Sequence, residues 1–568
     1  FRCLPERAEI LRGLLGADLI GFHTHNYMRH FISAVYRVLN LECSVDQVRL
    51  RDRVAEMDAF PMGINYDLYH EAAGRESVLE HTAALRRLAG GHKIVLSVDR
   101  LDYSKGILSR LKSYGEFLRN HPEFIGKVTY LMVVVPSRDK VDMYAELKTD
   151  IDQEVGAING KYAHVGWTPI HYFYRSFPFE ELVAMYAAAD VALVTPLRDG
   201  MNLVSKEYIA ARRDTPGVLI LSEMAGAAEE LRQAIIINPT DTRQVENALV
   251  AALTMPEADQ RRAISEMQEL LACRNVNVWA QEFMDELAAV KERNDGLRQK
   301  VLNHDIIETI RERYIQADKR LLVLDYDGTL TPLVSDPAKA EPSPAMLRAL
   351  KLLAGDPGNT VVICSGRDKK FLDKWFVNPE ILLSAEHGAF FRQNGQWQGD
   401  YGQMRWADDI LAIVRNVTLR TPGSHIETKQ TSLVWHYRDV DPWLADLRVN
   451  QLINALMRPS ARDGLNITRG RRIIELKVPD FNKGQVIARL LGEGPYQFIM
   501  AMGDDVTDED MFMALGGDAV TIKVGQFSDT ATYCIPNQES VFSLINCLAR
   551  METVTRAEAA AQYSPANQ

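Results

Sequence analysis

The sequence lacks the patterns that mark several classes of protein. Its six cysteines are scattered, with no CxxC pair and no His/Cys cluster, which argues against a disulfide framework or a zinc site. No apolar run approaches the ~20 residues of a membrane-spanning helix, and no charged start followed by an apolar core marks a secretion signal. The net charge of −11 argues against a general binder of nucleic acid or anionic membranes. We therefore expect a cytoplasmic globular protein.

Strand-like apolar runs alternate with amphipathic helical stretches along most of the 568 residues, which is the pattern of parallel α/β sheets. The first series runs from ADLIGFHT (17–24) to AIIINP (234–239). The charged stretch KERNDGLRQK (291–300) predicts a linker. A second α/β series starts at LLVLDYD (321–327) and includes IIELKV (473–478) as a strand.

The character of the sequence changes between residues 400 and 470. There HIETKQTSLVWHYR (425–438) alternates apolar and polar residues, which predicts an antiparallel strand. We interpret this segment as a cap inserted into the second α/β domain. Glu427 and Lys429 would share one face of that strand, where they could hydrogen-bond sugar hydroxyls. The alternative is a cross-strand ion pair at the surface.

Four short stretches occur in a fixed order in the second half: LVLDYDGTLT (322–331), VVICSGR (361–367), DFNKG (480–484) and MGDDVTDED (502–510). Three of them follow or end a short apolar run. Their polar side chains should therefore lie at the carboxyl ends of strands, where open α/β sheets bind ligands. Each stretch supplies a group that phosphoryl transfer requires, so the ordered set predicts that reaction class.

Asp325 and Asp327 are two residues apart, so an extended segment directs both side chains to one side. One carboxylate can attack phosphorus, while the other exchanges protons with the leaving oxygen and with water. Gly328 permits the tight turn that keeps both exposed to substrate. Taken alone, a DxDG segment is more often a surface turn, and the other three motifs are what favour the catalytic interpretation.

The remaining motifs supply phosphate and metal ligands. Ser365 can hydrogen-bond a phosphate oxygen, although a helix N-cap is the alternative. Lys483 can neutralise phosphoryl oxygens, although it could also be a solvated lysine. Asp504 and Asp505 offer the hard oxygen ligands that suit Mg²⁺, which is the predicted cofactor. Asp508 could orient these ligands.

The ordered set resembles the haloacid dehalogenase phosphatase superfamily, and GDDVTDE together with the cap resembles the trehalose-6-phosphate phosphatases. This resemblance implies Asp325 as nucleophile and Asp327 as general acid/base. It implies Mg²⁺ on Asp325, Asp504 and the main chain of Asp327, with Ser365 and Lys483 on the phosphate. The implied substrate is trehalose 6-phosphate, contacted by Arg367, Glu427, Lys429 and Glu475.

The first half carries an independent signature. In DRLDYSKGI (99–107), Arg100 and Lys105 lie near a strand end, where two cations could clamp a diphosphate. A second motif, TPLRDGMNLVSKEYIAAR (195–212), follows the apolar run VALV. Its Gly200 opens a turn into a helix whose free amides could face an anionic sugar diphosphate.

Two acidic residues of the second motif could accept hydrogen bonds, Glu207 from ribose hydroxyls and Asp199 from the donor sugar. PLRDGMNLVSKE (196–207) resembles the retaining glycosyltransferases that make trehalose 6-phosphate, and the resemblance covers nearly all of residues 1–290. It implies UDP-, ADP- or GDP-glucose as donor and glucose 6-phosphate as acceptor. The implied donor-binding residues are His23, Arg100, Lys105, Asp199, Gly200, Met201, Asn202, Leu203 and Glu207, and Arg138 is implied at the acceptor phosphate.

The chain begins at Phe1, and the family's amino-terminal glycine-rich loop has no counterpart in it. The resemblance therefore implies that most of the acceptor site is missing and that this chain has little or no synthase turnover. A histidine after a strand is often a packed or N-capping residue, which is the alternative for His23.

The predicted fold class is α/β: a partial two-Rossmann, GT-B-like glycosyltransferase followed by a haloacid dehalogenase-like domain with an inserted α+β cap. The predicted segments are a Rossmann remnant (1–90), a nucleotide-sugar domain (91–290), a helical linker (291–318), a phosphatase core (319–400 and 471–553), a cap (401–470) and a tail (554–568). The predicted function is trehalose biosynthesis by both activities. A phosphatase for another phosphosugar, a sensor or scaffold with an inactive synthase half, and a homo-oligomer are left open.

Overall fold

The computed structural model describes residues 3–562 except 40, 42, 44, 51–52, 138–141, 214, 335–338, 400–404, 471 and 479–480. Packing divides the chain into two compact units, one of Leu19–Phe31 and Met57–Ala289 and the other of Phe1–Asp18, Ile32–Glu56 and Val290–Gln568. The segment 1–90, expected to be one domain remnant, is thus divided between the units. Within the described residues, no helix combines the length and apolar content that crossing a bilayer requires.

The elements of the first half are, in chain order, α1 (Arg7–Leu14), β1 (Leu19–Phe22), α2 (His25–Leu39), β2 (Gln47–Arg49), β3 (Val54–Ala59), α3 (Tyr66–Ala72), α4 (Glu76–Leu88), β4 (Lys93–Arg100), α5 (Ile107–Asn120), β5 (Val128–Val135), α6 (Asp142–Tyr162), β6 (Ile170–Phe173), α7 (Phe179–Ala188), β7 (Val191–Val194), α8 (Leu203–Ala210), β8 (Val218–Ser222), β9 (Ile235–Ile237), α9 (Thr242–Thr254), α10 (Glu257–Cys273) and α11 (Val276–Gln299).

Six parallel strands form the sheet of the first unit, in the order β6-β5-β4-β7-β8-β9. Successive residues of β4 point to opposite faces, so Leu96 packs into one apolar core and Val95 into another. The sheet is therefore covered on both sides. The strand order reverses between β4 and β7, and such a reversal opens a crevice at the carboxyl ends of the strands.

The elements of the second half are α12 (His304–Gln316), β10 (Arg320–Asp325), α13 (Pro344–Ala354), β11 (Asn359–Cys364), α14 (Lys369–Trp375), β12 (Ile381–Ala385), β13 (Phe390–Gln393), β14 (Gln396–Gln398), α15 (Asp408–Leu419), β15 (His425–Thr428), β16 (Ser432–His436), α16 (Pro442–Arg462), β17 (Asn466–Gly470), β18 (Ile473–Lys477), α17 (Lys483–Gly492), β19 (Phe498–Gly503), α18 (Thr507–Leu515), β20 (Val520–Val524), β21 (Tyr533–Ile535) and α19 (Gln538–Gln562).

An eight-stranded sheet forms the core of this half, in the order β14-β13-β12-β11-β10-β19-β20-β21. Its central strands are parallel, and β13 and β14 extend one edge as antiparallel strands. Leu322 and Leu324 pack on one face of β10, and Leu321 and Val323 pack on the other. The α/β class predicted from the sequence is confirmed for both sheets.

A separate four-stranded antiparallel sheet, β15-β16-β18-β17, forms the cap. Its Trp435 and Leu476 pack with Ile410 of α15 and Val449 of α16 in a small core of their own. Two sequence predictions differ from the structure here. The stretch 425–438 is a hairpin of two strands, because the chain turns at residues 429–431. IIELKV (473–478) pairs with β16 of the cap, whereas we had predicted it as a strand of the phosphatase core.

Candidate active sites

The central strands of the eight-stranded sheet bring the phosphoryl-transfer motifs together. Strands β11, β10 and β19 are parallel neighbours, so their carboxyl ends lie side by side. Asp325 is the last residue of β10, Ser365 follows β11, and Asp504 follows β19. Three segments that are far apart in sequence therefore converge at one edge of the sheet.

Three buried carboxylates meet there. Asp325, Asp504 and Asp508 each place one oxygen within 4.8 Å of the others. Gly328 makes this approach possible in two ways. Its φ of +77° lies in the left-handed region that favours glycine, and a Cβ at this position would lie 2.0 Å from the Asp504 Oδ2 atom.

Lys483 lies inside this cluster as the first residue of α17, and it is 2% exposed rather than solvated. Its Nζ donates to Asp325 Oδ1 at 2.5 Å and to Asp508 Oδ1 at 2.6 Å. Asp508 Oδ2 accepts from the amide of Asp505 at 2.9 Å. Both oxygens of Asp508 are thus engaged, which fits the predicted orienting role.

The charges in the cluster do not balance. Burial raises the pKa of Asp325 to about 8, against the opposing effect of the Lys483 charge. Burial, together with the negative charges of Asp325 and Asp508, also raises the pKa of Asp504 well above its ordinary range. Hard carboxylate oxygens with excess negative charge are the ligands that Mg²⁺ prefers, so the donor set fits the predicted cation. Asp325 and Asp504 are the residues that would hold it.

Two other predicted metal residues point elsewhere. Asp505 Oδ1 accepts from the amide of Val506 at 2.8 Å, so its carboxylate lies outside the cluster of three. Asp327 was expected to contribute its main chain, and its side chain pairs with Arg367 through Nε–Oδ2 and Nη2–Oδ1 contacts of 2.7 and 2.5 Å. The structure therefore gives Arg367 a protein partner at the position where we predicted a substrate contact.

Ser365 is 1% exposed, and its Oγ accepts from the amide of Arg367 at 3.1 Å. The N-cap of the following helix α14 is Asp368, so the N-cap alternative for Ser365 does not hold. The serine lies in the turn that also carries Arg367. Arg367 lines the same cavity as Asp325, whereas Ser365 is not among the residues that line it.

The cap contributes to the same cavity, which has a volume of about 160 Å³. Glu427 and Lys429 both line it. Glu427 pairs with His436 of the neighbouring strand β16, which is the cross-strand ion pair considered as the alternative, whereas Lys429 contacts a main-chain carbonyl. Glu427 lies 2.8 Å from His436 Nε2, a contact that lowers the pKa of Glu427 to about 2. Lys429 Nζ donates to the carbonyl of Gly366 at 3.0 Å.

Glu475 is buried in β18 and lies in the same cross-strand row as Glu427, with Val434 of β16 between them. The two carboxylates therefore share a face of the cap sheet. Sequence reasoning missed two basic residues that also line the cavity, His436 and Arg438; a third, His387, belongs to EHGAF (386–390), which matches a substrate-side segment of the resembled family. His436 and Arg438 belong to the predicted cap strand, but alternation alone did not indicate which of its side chains face a ligand.

A second cavity, of about 430 Å³, lies in the first unit where the strand order reverses. The carboxyl end of β4 and the loop after β7 form its walls. Every predicted donor-binding residue except Glu207 lines it: His23, Arg100, Lys105, Asp199, Gly200, Met201, Asn202 and Leu203. Sequence reasoning missed four further lining residues, Met62, Val98, Asp99 and Val204. Asp99 and Val204 lie within the two quoted motifs, but the motifs alone did not indicate that these side chains face the cavity.

Asp199 accepts hydrogen bonds from two other side chains of this cavity. It accepts from Lys105 Nζ at 2.6 Å and from Asn202 Nδ2 at 3.0 Å. Asn202 has a φ of +71° and caps α8 by accepting from the amide of Ser205. Helix α8 thus begins at Leu203, after its N-cap Asn202, and Leu203 and Val204 of its first turn line the cavity.

Two predicted residues of this half stand apart. Glu207 accepts from the hydroxyl of the buried Tyr186 at 2.7 Å, within the helix packing behind the cavity. Arg138, predicted at the acceptor phosphate, lies outside the described residues. Sequence reasoning also missed the buried ion pair of Asp99 with Arg110, at 2.5 Å, which holds the carboxylate of Asp99 at the cavity lining.

Comparison with known proteins gives two family matches. The model of glycosyltransferase family 20 matches residues 1–289, and the model of trehalose-phosphatase matches residues 323–535. The bifunctional trehalose-6-phosphate synthase/phosphatase of Thermoproteus tenax is 40% identical over 547 residues, which are 95% of this chain and 75% of the relative. The α,α-trehalose-phosphate synthase (UDP-forming) B of Dictyostelium discoideum is 35% identical over 568 residues, 97% of this chain and 71% of the relative.

Among solved structures, an α,α-trehalose 6-phosphate synthase from Burkholderia multivorans matches with a TM-score of 0.50 and 35% identity, over 53% of this chain and 64% of that chain. The chain thus spans about three quarters of the first curated relatives and less than two thirds of that solved protein. These matches confirm the predicted fold class, a GT-B-like half followed by a haloacid dehalogenase-like half.

Proposed function

This chain belongs to the trehalose-6-phosphate synthase/phosphatase family, with a glycosyltransferase family 20 domain followed by a trehalose-phosphatase domain, and from that premise we propose a substrate and a mechanism for each domain. The pair of domains serves trehalose biosynthesis. The second domain hydrolyses trehalose 6-phosphate to trehalose and phosphate. The contact of Lys483 with Asp325 beside Asp504 is the single observation that supports this proposal most strongly.

Asp325 attacks the phosphorus, and the bond to the sugar oxygen breaks to leave an aspartyl phosphate. The ammonium of Lys483, 2.5 Å from Asp325, neutralises charge on the nucleophile and on the phosphoryl oxygens. The hydroxyl of Ser365 donates a hydrogen bond to a phosphoryl oxygen. Bound Mg²⁺, held by Asp325 and Asp504, would supply further neutralisation of the phosphoryl charge.

Asp327 moves the protons. It donates one to the leaving sugar oxygen, then accepts one from the water that hydrolyses the aspartyl phosphate. The bidentate contact with Arg367 fixes the orientation of its carboxylate. The first step requires Asp327 to leave this pairing at least in part.

The cap selects the sugar. Glu427 and Glu475 lie in one row on the cap face, and Lys429 lies beside them at the cavity. Carboxylates and an ammonium in this arrangement can accept from and donate to the hydroxyls of the distal glucose. This assignment distinguishes trehalose 6-phosphate from other phosphosugars, because the core groups contact only the phosphate.

A direct assay tests the proposal. The full chain with Mg²⁺ should release phosphate from trehalose 6-phosphate, and Asp325→Asn should lower the rate on the order of 10⁴-fold or more. Asp518→Asn changes an exposed carboxylate of the same unit and serves as the matched control. If the wild-type chain releases no phosphate, or if Asp325→Asn is as active as the control, the proposal is wrong. Preference for another phosphosugar in a substrate panel would move the assignment to that substrate.

For the first domain we propose that the 430 Å³ cavity binds a nucleotide-glucose through Arg100, Lys105 and the first amides of α8. A relative named as UDP-forming favours UDP as the nucleotide. Glucose 6-phosphate would be the acceptor, with Arg138 at its phosphate. Calorimetry with UDP, ADP and GDP tests the donor: equal or undetectable binding of all three would contradict the assignment. Binding without glucosyl transfer would favour a sensor role for this half.

We also propose a cytoplasmic location. All six cysteines carry free thiols, which suits a reducing compartment. Localisation of a tagged full-length protein would test this.

A further inference from the structure

Two consecutive residues after β12 have an unusual backbone. Glu386 and His387 have φ values of 47° and 56°, in the left-handed region that non-glycine residues rarely occupy. A backbone persists there only when its surroundings hold it, and such positions concentrate at functional sites. This segment is hydrogen-bonded on one side to the turn 365–367, called the phosphate-binding turn for its proposed role, and on the other side to the cap.

Toward the phosphate-binding turn, the contacts are made by the main chain and the imidazole. The amides of Glu386 and His387 donate to the carbonyls of Arg367 and Ser365, both at 3.0 Å. The imidazole packs against Gly366, where a Cβ would lie 2.4 Å from the ring Nε2. A glycine between Ser365 and Arg367 is therefore required for the ring to occupy this position.

Toward the cap, the contacts are made by the side chains. The buried carboxylate of Glu386 accepts from the amide of Thr431 at 2.9 Å and from its hydroxyl at 2.7 Å, in the turn between β15 and β16. His387 Nε2 lies 3.5 Å from Glu475 Oε2 in β18. Lys429 of the same turn reaches back to Gly366, so the two contacts close a ring between cap and core.

The His387 side chain acts as a neutral spacer. Burial lowers its pKa to about 3, so the imidazole carries no charge at neutral pH. Its Nδ1 is buried and has no hydrogen-bond partner among the described residues. Packing on Gly366 and the approach to Glu475 therefore set the orientation of the ring.

We propose that Glu386 and His387 form a latch that fixes the distance between the cap and the phosphate-binding turn, with His387 a positioning residue for Glu475. The proposal rests on the proposed phosphatase function. A substrate that contacts both the phosphate-binding turn and the cap should bind with an affinity that depends on this distance. The affinity for a small phosphate ester, which contacts only the core, should not depend on it.

Two substrates and three variants test the latch. The substrates are trehalose 6-phosphate and p-nitrophenyl phosphate. Thr431→Val removes the hydroxyl bonded to Glu386 at nearly constant volume, Thr431→Ser keeps that hydroxyl, and His387→Ala removes the spacer. For Thr431→Val, we expect KM for trehalose 6-phosphate to rise about tenfold, with kcat/KM for p-nitrophenyl phosphate within about twofold of wild type. His387→Ala should also raise KM for trehalose 6-phosphate, and by a larger factor than KM for p-nitrophenyl phosphate. Thr431→Ser should stay close to wild type on both substrates.

Equal losses on the two substrates, or no loss on either, would overturn the latch, because the segment would then be merely structural or dispensable. Circular dichroism checks that each variant is folded. If His387→Ala does not fold, the comparison of Thr431→Val with Thr431→Ser still tests the latch. A wild-type chain that hydrolyses p-nitrophenyl phosphate but not trehalose 6-phosphate would instead contradict the proposed substrate. The two failures are therefore distinguishable.

Discussion

The two cavities differ in the sign of the charge that their ion pairs leave unbalanced. In the cavity of the first unit, Lys105 and Asp199 pair one to one at 2.6 Å, and Arg100 at the rim is exposed. In the buried cluster at the phosphatase cavity, three carboxylates lie together with one ammonium, that of Lys483, which contacts Asp325 and Asp508. Arg100 gives the first cavity positive charge beyond its ion pair, whereas this cluster has more carboxylates than cations.

This difference indicates what each cavity is built to receive. A cationic rim with helix amides behind it attracts an anion such as a diphosphate. A buried excess of carboxylate is unfavourable until a cation or protons neutralise it. The nucleotide site should therefore need no metal, and the phosphatase site should depend on one.

Removing divalent cations should separate the two sites most sharply. We expect chelation with EDTA to lower phosphate release from trehalose 6-phosphate by a factor of about 10³ or more. Without a cation the buried carboxyl of Asp325 holds a proton and cannot attack phosphorus, and the charge of the phosphoryl oxygens is not neutralised. The affinity of the first unit for UDP, measured by calorimetry on the same sample, should be unchanged. Excess Mg²⁺ restores hydrolysis in the control. Hydrolysis that survives chelation, or UDP binding that does not, would break the comparison.

Gly328→Ala tests how closely the metal site is packed. The new Cβ would lie 2.0 Å from Asp504 Oδ2 at a φ of +77°, so both strain and displacement of Asp504 should follow. We expect the phosphatase unit to lose roughly 3 kcal/mol of stability and most of its affinity for Mg²⁺. Gly464→Ala is the matched control, since that glycine has a φ of +66° and nothing within 4 Å. Its cost should be about 1 kcal/mol, and equal effects of the two variants would contradict the packing argument.

In the absence of metal, rising pH should destabilise the phosphatase unit. Burial raises the pKa of Asp325 from its ordinary 3.8 to about 8, so between these values the folded unit binds more protons than the unfolded chain. Stability conferred by such a group is present at low pH and lost as pH rises. Calorimetry of the chelated chain should show the Mg²⁺-sensitive transition falling by several degrees between pH 5.5 and 7.5. Mg²⁺ should flatten this slope, and a flat profile without metal would mean that the carboxyls are already ionised.

The placement of the motifs was predictable from the sequence, and their side-chain partners were not. Asp325, Ser365 and Asp504 each come directly after a run of apolar residues, and such a run fixes where a buried strand ends. Sequence spacing carries no information on which distant group a side chain meets. Asp327 therefore turned out to pair with Arg367, and Glu207 with Tyr186.

The cap shows the same limit at the level of strands. IIELKV has the composition of a strand, but composition does not determine which sheet a strand joins. Its Glu475 pairs with Val434, forty-one positions earlier in the sequence, and no local pattern indicates that pairing. The hairpin at 425–438 looked like one strand because its turn, Lys429 to Thr431, contains no glycine or proline. Non-local pairing decided both cases.

The smallest expected effect concerns the ion pair of the first cavity. Lys105→Ala should weaken UDP binding about tenfold, because it removes a charge-assisted contact to the diphosphate. Asp199→Asn frees Lys105 from its 2.6 Å partner, so UDP, which lacks the sugar, should bind as well as or better than to wild type. The double variant should behave like Lys105→Ala, since Asp199 then has no lysine to restrain. Arg243→Ala, an exposed cation of the same unit, controls for net charge. If Asp199→Asn weakens UDP binding as much as Lys105→Ala does, the aspartate contacts the nucleotide itself. The charge distribution would then be wrong in indicating that Lys105 binds the diphosphate and Asp199 binds only the sugar.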